Sequence, residues 1–349
     1  MREYVSIEEI RAAYMDCCKH KRSTADCVLY QANAIMNNYE LYRDLNGMTY
    51  EIGESKAFCV TRPKLREVFC AQFRDRIVHH LLSLKFGALI DEELTDNAFA
   101  CRNGKGTDYG INFVRREIER VSDNYTKETW ILKCDLQGFF MSIDREMLYK
   151  LLERTIKGKY HGDDVEWWMW LWRKVIMNDP ARNCMRVGDL TLWNKLPKSK
   201  SLFTSNGKGL PIGNLPSQIL ANLLLSGFDK WVLEKIGKDG GYGRYVDDFL
   251  VISKSRKQLH AILQESREYL ENNLGLTLHP RKISLQKANK GVRFTGTFIR
   301  PHRQLPNAKT VEYLFNVIRR FGNDKNLDGR RLARYVNRIN SLFGLMIHK

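Results

Sequence analysis

Several features common in other protein classes are missing from this 349-residue sequence. No run of about 18 apolar residues occurs, which excludes a helical membrane span. The opening residues MREYVSIEEIRAAYMDCC lack the apolar core of a signal peptide. The eight cysteines are scattered. Their only close pair, Cys17-Cys18, has no CxxC partner, which argues against a disulfide frame or a zinc site. That usage predicts reduced thiols in a cytoplasm. Internal repeats and low-complexity segments are absent. Acid is also in short supply: 40 Asp+Glu stand against 57 Lys+Arg, a formal charge of +17. Solubility alone does not need so large an excess, and it points to a polyanionic partner.

The length suffices for one large domain or two to three subdomains with a real core. Apolar spacing predicts helix through most of 6–46. Alternation and β-rich composition predict one or two hairpins within 48–72, with a turn near Thr61-Arg62-Pro63-Lys64. Helix is expected over about 74–90 and 109–122, flanking a Gly-rich basic loop, CRNGKGTD, at 101–108. A short buried strand reads out of 129–135. A tryptophan-rich helix is expected at 151–178, irregular chain at 179–208, and helix at 215–236. A hairpin at 242–253 carries an acidic pair at its turn. Helix follows at 256–273, then strands at 276–285 and 291–300, and a basic helical tail at 308–349. Strands and helices mix without βαβ repetition, so the fold class is α+β.

Three carboxylates stand out. Asp135 ends one apolar strand, and Asp247 and Asp248 lie between two others. Nucleotidyl transfer uses two divalent ions ~3.5–4 Å apart, one at the attacking hydroxyl and one at the leaving group. Mg²⁺ takes a few carboxylate oxygens on rigid elements and fills its shell with water and phosphate. The apolar runs WILKC and FLVIS make it plausible that the two strands are sheet neighbours. Taken alone, Asp-Asp is also an ordinary polar hairpin turn.

Here the residues resemble a family. YVDD at 245–248 resembles the YxDD box of reverse transcriptases. CDLQGFFMSIDREML at 134–148 resembles their first palm motif, and REVFCAQFRDRIVHHLL at 66–82 their finger motif. NLGLTLHPRKISLQ at 273–286 and VRFTGTFIRP at 292–301 resemble the late palm and primer-grip motifs. The order is the family's, across about 50–300. The resemblance implies a right-hand polymerase fold: an N-terminal helical extension at 1–50, fingers at 51–130, and a palm at 131–300 with a fingers-like insertion at about 155–208. A helical thumb follows at 301–349, and the chain stops inside what reads as a thumb helix, which leaves room for a further piece. GLPIGNLPSQ at 209–218 departs from the family's usual glutamine-containing box. With WNKLPKSKSLFTSNGK before it, it resembles the reverse transcriptases of diversity-generating retroelements. That likeness implies copying of a template-repeat RNA into cDNA with misincorporation opposite adenines. It also implies dNTP substrates and a basic accessory variability determinant protein as partner.

The resemblance also assigns residues. Asp135, Asp247 and Asp248 become ligands for two Mg²⁺ ions, with Mn²⁺ as a substitute and the backbone at Leu136 as a helper. Arg66 and Arg74, with Lys64 near the finger tip, would grip the triphosphate through planar or flexible cations. Phe139 and Phe140 are candidates for the aromatic under the sugar, and the five-residue spacing from Asp135 favours Phe140. Lys282 would place a cation near the leaving pyrophosphate as a general acid. Ile212, Gly213 and Gln218 would lie beside the nascent base pair. Isoleucine carries no donor or acceptor where the family has glutamine. Losing a polar check worth ~1–3 kcal/mol relaxes selection by ~10–100-fold. Arg102 and Lys105, beside Gly104 and Gly106, and Arg330, Arg331 and Arg334 in the tail are candidates for nucleic-acid phosphates. The tryptophans at 167, 168, 170 and 172 read as core, and His79-His80 as core or surface. Two other functions compete. One is a retron-like or group II intron-like reverse transcriptase, which usually keeps the glutamine box. The other is a non-catalytic RNA-binding scaffold, which has no reason to hold three carboxylates near a polyanion.

Overall fold

The computed structural model describes residues 2–19, 21–62 and 64–347. In chain order the elements begin with helices α1 (Ile7–Cys18), α2 (Ala25–Gln31) and α3 (Ala34–Asn46), strands β1 (Ser55–Val60) and β2 (Arg66–Cys70), and α4 (Phe73–Asp91). Next come α5 (Thr107–Ser122), β3 (Trp130–Asp135), α6 (Phe139–Ser142), α7 (Arg145–Lys159), α8 (Val165–Met177) and β4 (Cys184–Arg186). After short 3-10 turns follow α9 (Leu215–Ile236), β5 (Gly241–Tyr245), β6 (Asp248–Ser253), α10 (Arg256–Leu274) and β7 (Ser284–Lys287). The chain closes with β8 (Val292–Phe294), β9 (Thr297–Arg300), β10 (Arg303–Pro306), α11 (Ala308–Gly322) and α12 (Gly329–Ile347). The expected turn at 61–64 includes Pro63, which lies outside the described residues. No helix among the described residues is long and apolar enough to cross a membrane, and the eight cysteines are free.

The chain divides into two compact units. The first comprises Met1–Thr95, Leu136–Asp229 and Glu268–Thr277. Its N-terminal helix starts with a capping box, in which Ser6 accepts from the Glu9 amide and the Glu9 carboxylate accepts from the Ser6 amide. In α4, the buried Asp75 accepts from Tyr50 Oη at 2.7 Å and Gly53 N at 3.1 Å. Its neighbour His79 is buried, and burial pushes the imidazole pKa down to about 3. His80 instead meets Asp16 at 2.7 Å. Neither histidine joins a metal cluster among the described residues. Trp167, Trp168 and Trp172 are core residues, and Phe86 packs edge-on against Trp168.

The tryptophan-rich helix differs from expectation: α7 starts earlier, at Arg145, and the chain breaks before α8. Asp144 caps α7 by accepting from Met147 N at 3.0 Å. At the break, the Asp164 carboxylate accepts from Tyr160 Oη and Trp168 Nε1, both at 2.7 Å. The helix itself ends where Tyr160, its C-cap, turns to extended backbone (φ −106°, ψ 117°) ahead of Gly162, and the Asp164 bonds pin that turn.

A small sheet of order β2-β1-β4 organises the rest of this unit. Strand β2 alternates, with Glu67 and Phe69 inward. Glu67 is fully buried, yet three donors reach it: Trp193 Nε1 at 2.7 Å, Ser201 Oγ at 2.8 Å and Leu202 N at 2.8 Å. One carboxylate thus fixes the irregular chain between β4 and α9. The segment holds little periodic apolar pattern, so it needs such an anchor.

The second unit comprises Asp96–Asp135, Lys230–Arg267 and Leu278–Lys349. Its four-stranded sheet has the order β5-β6-β3-β7, all antiparallel. Helix α5 packs Ile111, Val114, Ile118 and Val121 into a cluster with Ile131, Leu250 and Ile252 of the sheet. Two strand expectations need correction. The strand expected over 276–285 begins only at Ser284, because residues 279–282 form a turn in which Lys282 N donates to His279 O. The strand expected over 291–300 is a hairpin, β8 and β9, folded at Thr295-Gly296 and extended by β10. In the tail, α11 and α12 pair through Leu314, Val317 and Leu342.

Replacing Glu67 tests the anchor. Glu67→Ala strands two buried donors and a half-buried one and is expected to destabilise the protein by ~3 kcal/mol or more, whereas Glu67→Gln costs less because it retains one acceptor. Urea unfolding measures both. Limited proteolysis should cut the Ala variant first within 187–208.

Candidate active site

Backbone pairing decides where the carboxylates go. Strands β3 and β6 run antiparallel, and the last register pair is Asp135 opposite Asp248. Both side chains therefore stand at one end of adjacent central strands. Asp247 belongs to the two-residue loop between β5 and β6, closed by the pair Tyr245–Asp248. Only the first loop residue, Val246, has positive φ, at 57°. This is the pattern of a type II′ turn, in which glycine is preferred at that position. A β-branched residue there is strained. The buried Arg244 holds the turn from beneath, donating from Nη1 to Val246 O at 2.9 Å. Arg244 is itself seated by the 96–100 segment: its amide donates to Asn97 O and its carbonyl accepts from Phe99 N.

Two lysines meet the carboxylates. Lys133 shares a β3 face with Asp135, two residues on. Its Nζ lies 2.9 Å from Asp248 Oδ2. Lys282 Nζ lies 2.5 Å from Asp135 Oδ1. The remaining Asp248 oxygen, Oδ1, is buried and has no hydrogen-bond partner. Burial raises the Asp248 pKa to about 6; Lys133 opposes the rise, while Asp135 and Asp247 add to it.

No group of three His, Cys, Asp or Glu side chains converges to hold a metal among the described residues. The structure does bring together a facing pair, Asp135 and Asp248, with one orphaned buried oxygen. That pair fits a hard divalent ion, which commonly takes only one or two protein carboxylates and completes its shell with phosphates and water. Next to the strand end, Leu136 is buried.

The other expected residues fall into separate groups. Phe140 and Ile212 come together in the first unit, packed on one apolar cluster with Phe69, Met141 and Leu202. Backbone bonds fix them: Phe69 N donates to Ile212 O, and Leu210 N donates to Phe140 O, both at 2.8 Å. Gly213 has φ 116°, and a Cβ there would meet Phe69 O at 2.5 Å, so only glycine fits. Phe139 is buried, whereas Gln218 is exposed. Arg66 and Lys64 are exposed around the β1–β2 turn. Arg74 is tied down: it pairs with Asp44 and lies over the Tyr50 ring. Arg102 donates to Ala98 O at 3.0 Å, and Lys105 pairs with Asp96 at 2.9 Å. These two cations brace the 96–106 loop. Arg330, Arg331 and Arg334 are exposed on α12, and Arg331 reaches Asp324. Sequence reading missed Lys133, Arg244 and Glu67. Lys133 alone left a signal, its two-residue spacing from Asp135.

A family profile described as reverse transcriptase (RNA-dependent DNA polymerase) matches residues 57–299. The chain belongs to the reverse transcriptase family. Protein YkfC of Escherichia coli strain K12 is 24% identical over 264 residues, covering 67% of this chain and 62% of that protein. Retron Ec83 reverse transcriptase of Escherichia coli is 21% identical over 235 residues, covering 65% of each. The chain thus spans less than two thirds of the length of these relatives. Among solved structures, apo telomerase from Candida tropicalis aligns with a TM-score of 0.52 at 12% identity, covering 84% of this chain and 57% of that one. The fold of this reverse transcriptase chain is the α+β right-hand polymerase fold.

The raised Asp248 pKa gives a signed expectation. A carboxyl with folded pKa above its unfolded value favours the fold most at low pH, and that contribution is lost as pH rises from about 4 through about 6. Without divalent ions, Asp248→Asn should therefore stabilise the protein at pH 7.5, by up to ~3 kcal/mol, and the gain should shrink toward zero at pH 4.5. Urea unfolding in EDTA at the two pH values checks this.

Proposed function

We propose that this chain is an RNA-directed DNA polymerase of a diversity-generating retroelement, copying template-repeat RNA into cDNA with errors directed to template adenines. The observation that carries the polymerase reading is Asp135 facing Asp248 across adjacent strands, with Asp247 at the adjoining turn. The finer reading rests on Ile212 within GLPIGNLPSQ, locked by its carbonyl to β2 and sharing an apolar cluster with Phe140.

In this reading Asp135, Asp247 and Asp248, helped by the Leu136 backbone, hold two Mg²⁺ ions, for which Mn²⁺ can substitute. Bound there, the ions supply Lewis-acid stabilisation of the phosphoryl oxygens and acidify the primer hydroxyl. Lys133 and Lys282 neutralise the carboxylates beforehand. Once released from Asp135, Lys282 is placed to donate a proton toward the leaving pyrophosphate. Arg66 and Lys64 are free to pair with a triphosphate, while Arg74 first has to leave Asp44. Phe140 supports the sugar and Ile212 the base pair. Ile212 offers no hydrogen bond there, so a shifted mispair loses nothing at that contact. The basic accessory protein and the RNA are the proposed partners, the RNA bound largely through its phosphates.

A second reading, a retron-like reverse transcriptase, is favoured by the likeness to Retron Ec83 reverse transcriptase. Product sequencing separates the two, because only the first predicts adenine-directed errors.

Two substitutions test the proposal. Asp247→Asn should abolish divalent-ion-dependent cDNA synthesis and leave RNA affinity nearly unchanged, since it removes metal-binding charge and no backbone contact. Primer extension and filter binding read the two effects, and polymerisation above a few per cent of wild type would refute the metal assignment. Ile212→Gln should lower misincorporation opposite adenine by ~10-fold. Deep sequencing of cDNA from one template, scored per template base, provides the measure. An unchanged adenine error rate with intact polymerisation would reduce Ile212 to a packing residue.

A further inference from the structure

The first unit holds a cavity of about 390 Å³ that none of the assignments above uses. It lies between the loop entering α6, the turns at 198–208 and the extended chain at 275–277. Its lining contains no carboxylate and two lysines, Lys198 and Lys208. Both are exposed, and neither forms an ion pair among the described residues. The side chains of Gln137, Ser199 and Thr277 add donors that make no hydrogen bond within the described protein. Other lining hydroxyls differ in kind. Ser142, Thr204 and Ser205 each donate their proton to a backbone carbonyl, as in Thr204 Oγ1 to Lys198 O at 2.6 Å and Ser205 Oγ to Lys208 O at 2.6 Å. These oxygens keep only lone pairs for a ligand.

The cavity walls are themselves braced. Gln137 N donates to Thr277 O at 2.8 Å. Gly138 has φ 57°, and a Cβ there would meet Ser199 O at 2.7 Å. Ser201, at the cavity edge, is held by buried Glu67. The donors are thus carried on a framework fixed from beneath.

A ligand for this site must bring negative charge for two ammonium groups and hydroxyl donors for the lone pairs. A free phosphate carries O–H only on its own anionic centre and offers no hydroxyl at a sugar's distance from the charge. A deoxyribose phosphate also lacks that hydroxyl, since its sugar has none at the 2′ position. We propose that the cavity seats a ribose phosphate of the RNA strand, with Lys198, Lys208 and the free donors on the phosphate and the hydroxyl oxygens accepting from the 2′-hydroxyl. The 2′-hydroxyl is the group by which a protein distinguishes RNA from DNA. This inference rests on the polymerase reading and deepens it, giving that reaction a seat for the template backbone within the first unit.

The test uses the full chain with a 12-mer single-stranded RNA and the DNA of the same sequence, followed by fluorescence anisotropy in EDTA. Lys198→Ala/Lys208→Ala should weaken RNA binding about tenfold near 100 mM salt and flatten the log–log salt slope by ~0.7 for each phosphate no longer neutralised. The loss on DNA should be roughly threefold smaller, and Lys198→Arg/Lys208→Arg should restore most of the RNA affinity. Unchanged RNA affinity and slope would overturn the proposal, as would equal losses on RNA and DNA. Thr277→Val, which leaves the charge in place, should weaken RNA binding without changing the slope. Wild type that binds RNA in this pattern but makes no cDNA would sink the polymerase reading and leave the seat standing. Wild type that makes cDNA while the alanine variant binds RNA normally would sink the seat alone.

Discussion

The hydrogen-bond ladder between β3 and β6 is the constraint on which the chemistry depends. Its register, and not any side-chain contact, sets Asp135 opposite Asp248. A slip of one residue would turn every β3 side chain to the other face, moving Asp135 away from its partner and Cys134 into its place. The register is well protected. Ile131 and Leu132 are buried, and Trp130 at the far end lies under the cations of Arg256 and Lys287. Apolar burial at the centre of the strand therefore fixes the position of charge at its end.

The first unit solves a different problem. Its irregular chain at 187–213 cannot define its own shape through periodic packing. Instead it borrows order from β2: Glu67 holds it at Trp193, Ser201 and Leu202, and Phe69 holds it at Ile212. Arg145 adds a further tie, donating to Gly209 O. The box that departs from the family pattern is thus tied through its main chain, so a change of side chain at 212 leaves these bonds in place.

Much of this was legible beforehand. The helices at 73–91, 107–122 and 215–236 and the acidic hairpin followed from periodicity and turn chemistry, and the pairing of β3 with β6 from two apolar runs. The break before α8 was not read, although Gly162-Asp163-Asp164 marks a turn locally. Nor were Glu67 and Arg244. A buried charge whose partners lie far along the chain leaves no local pattern. Nor were the partners of Arg102 and Lys105, Ala98 O and Asp96, legible, because a Gly-rich loop leaves no pattern of its own contacts. Composition registers charge, but the fold decides what each charge meets.

The lysines on the two central carboxylates bear on the order of events in the life of the chain. Two carboxylates facing each other at one sheet end would otherwise repel during folding. With Lys133 on Asp248 and Lys282 on Asp135, the centre carries its own counter-ions. Under the proposed polymerase reading, the fold would then form before any ion arrives, and removal of the ion would leave a folded chain ready to take it up again.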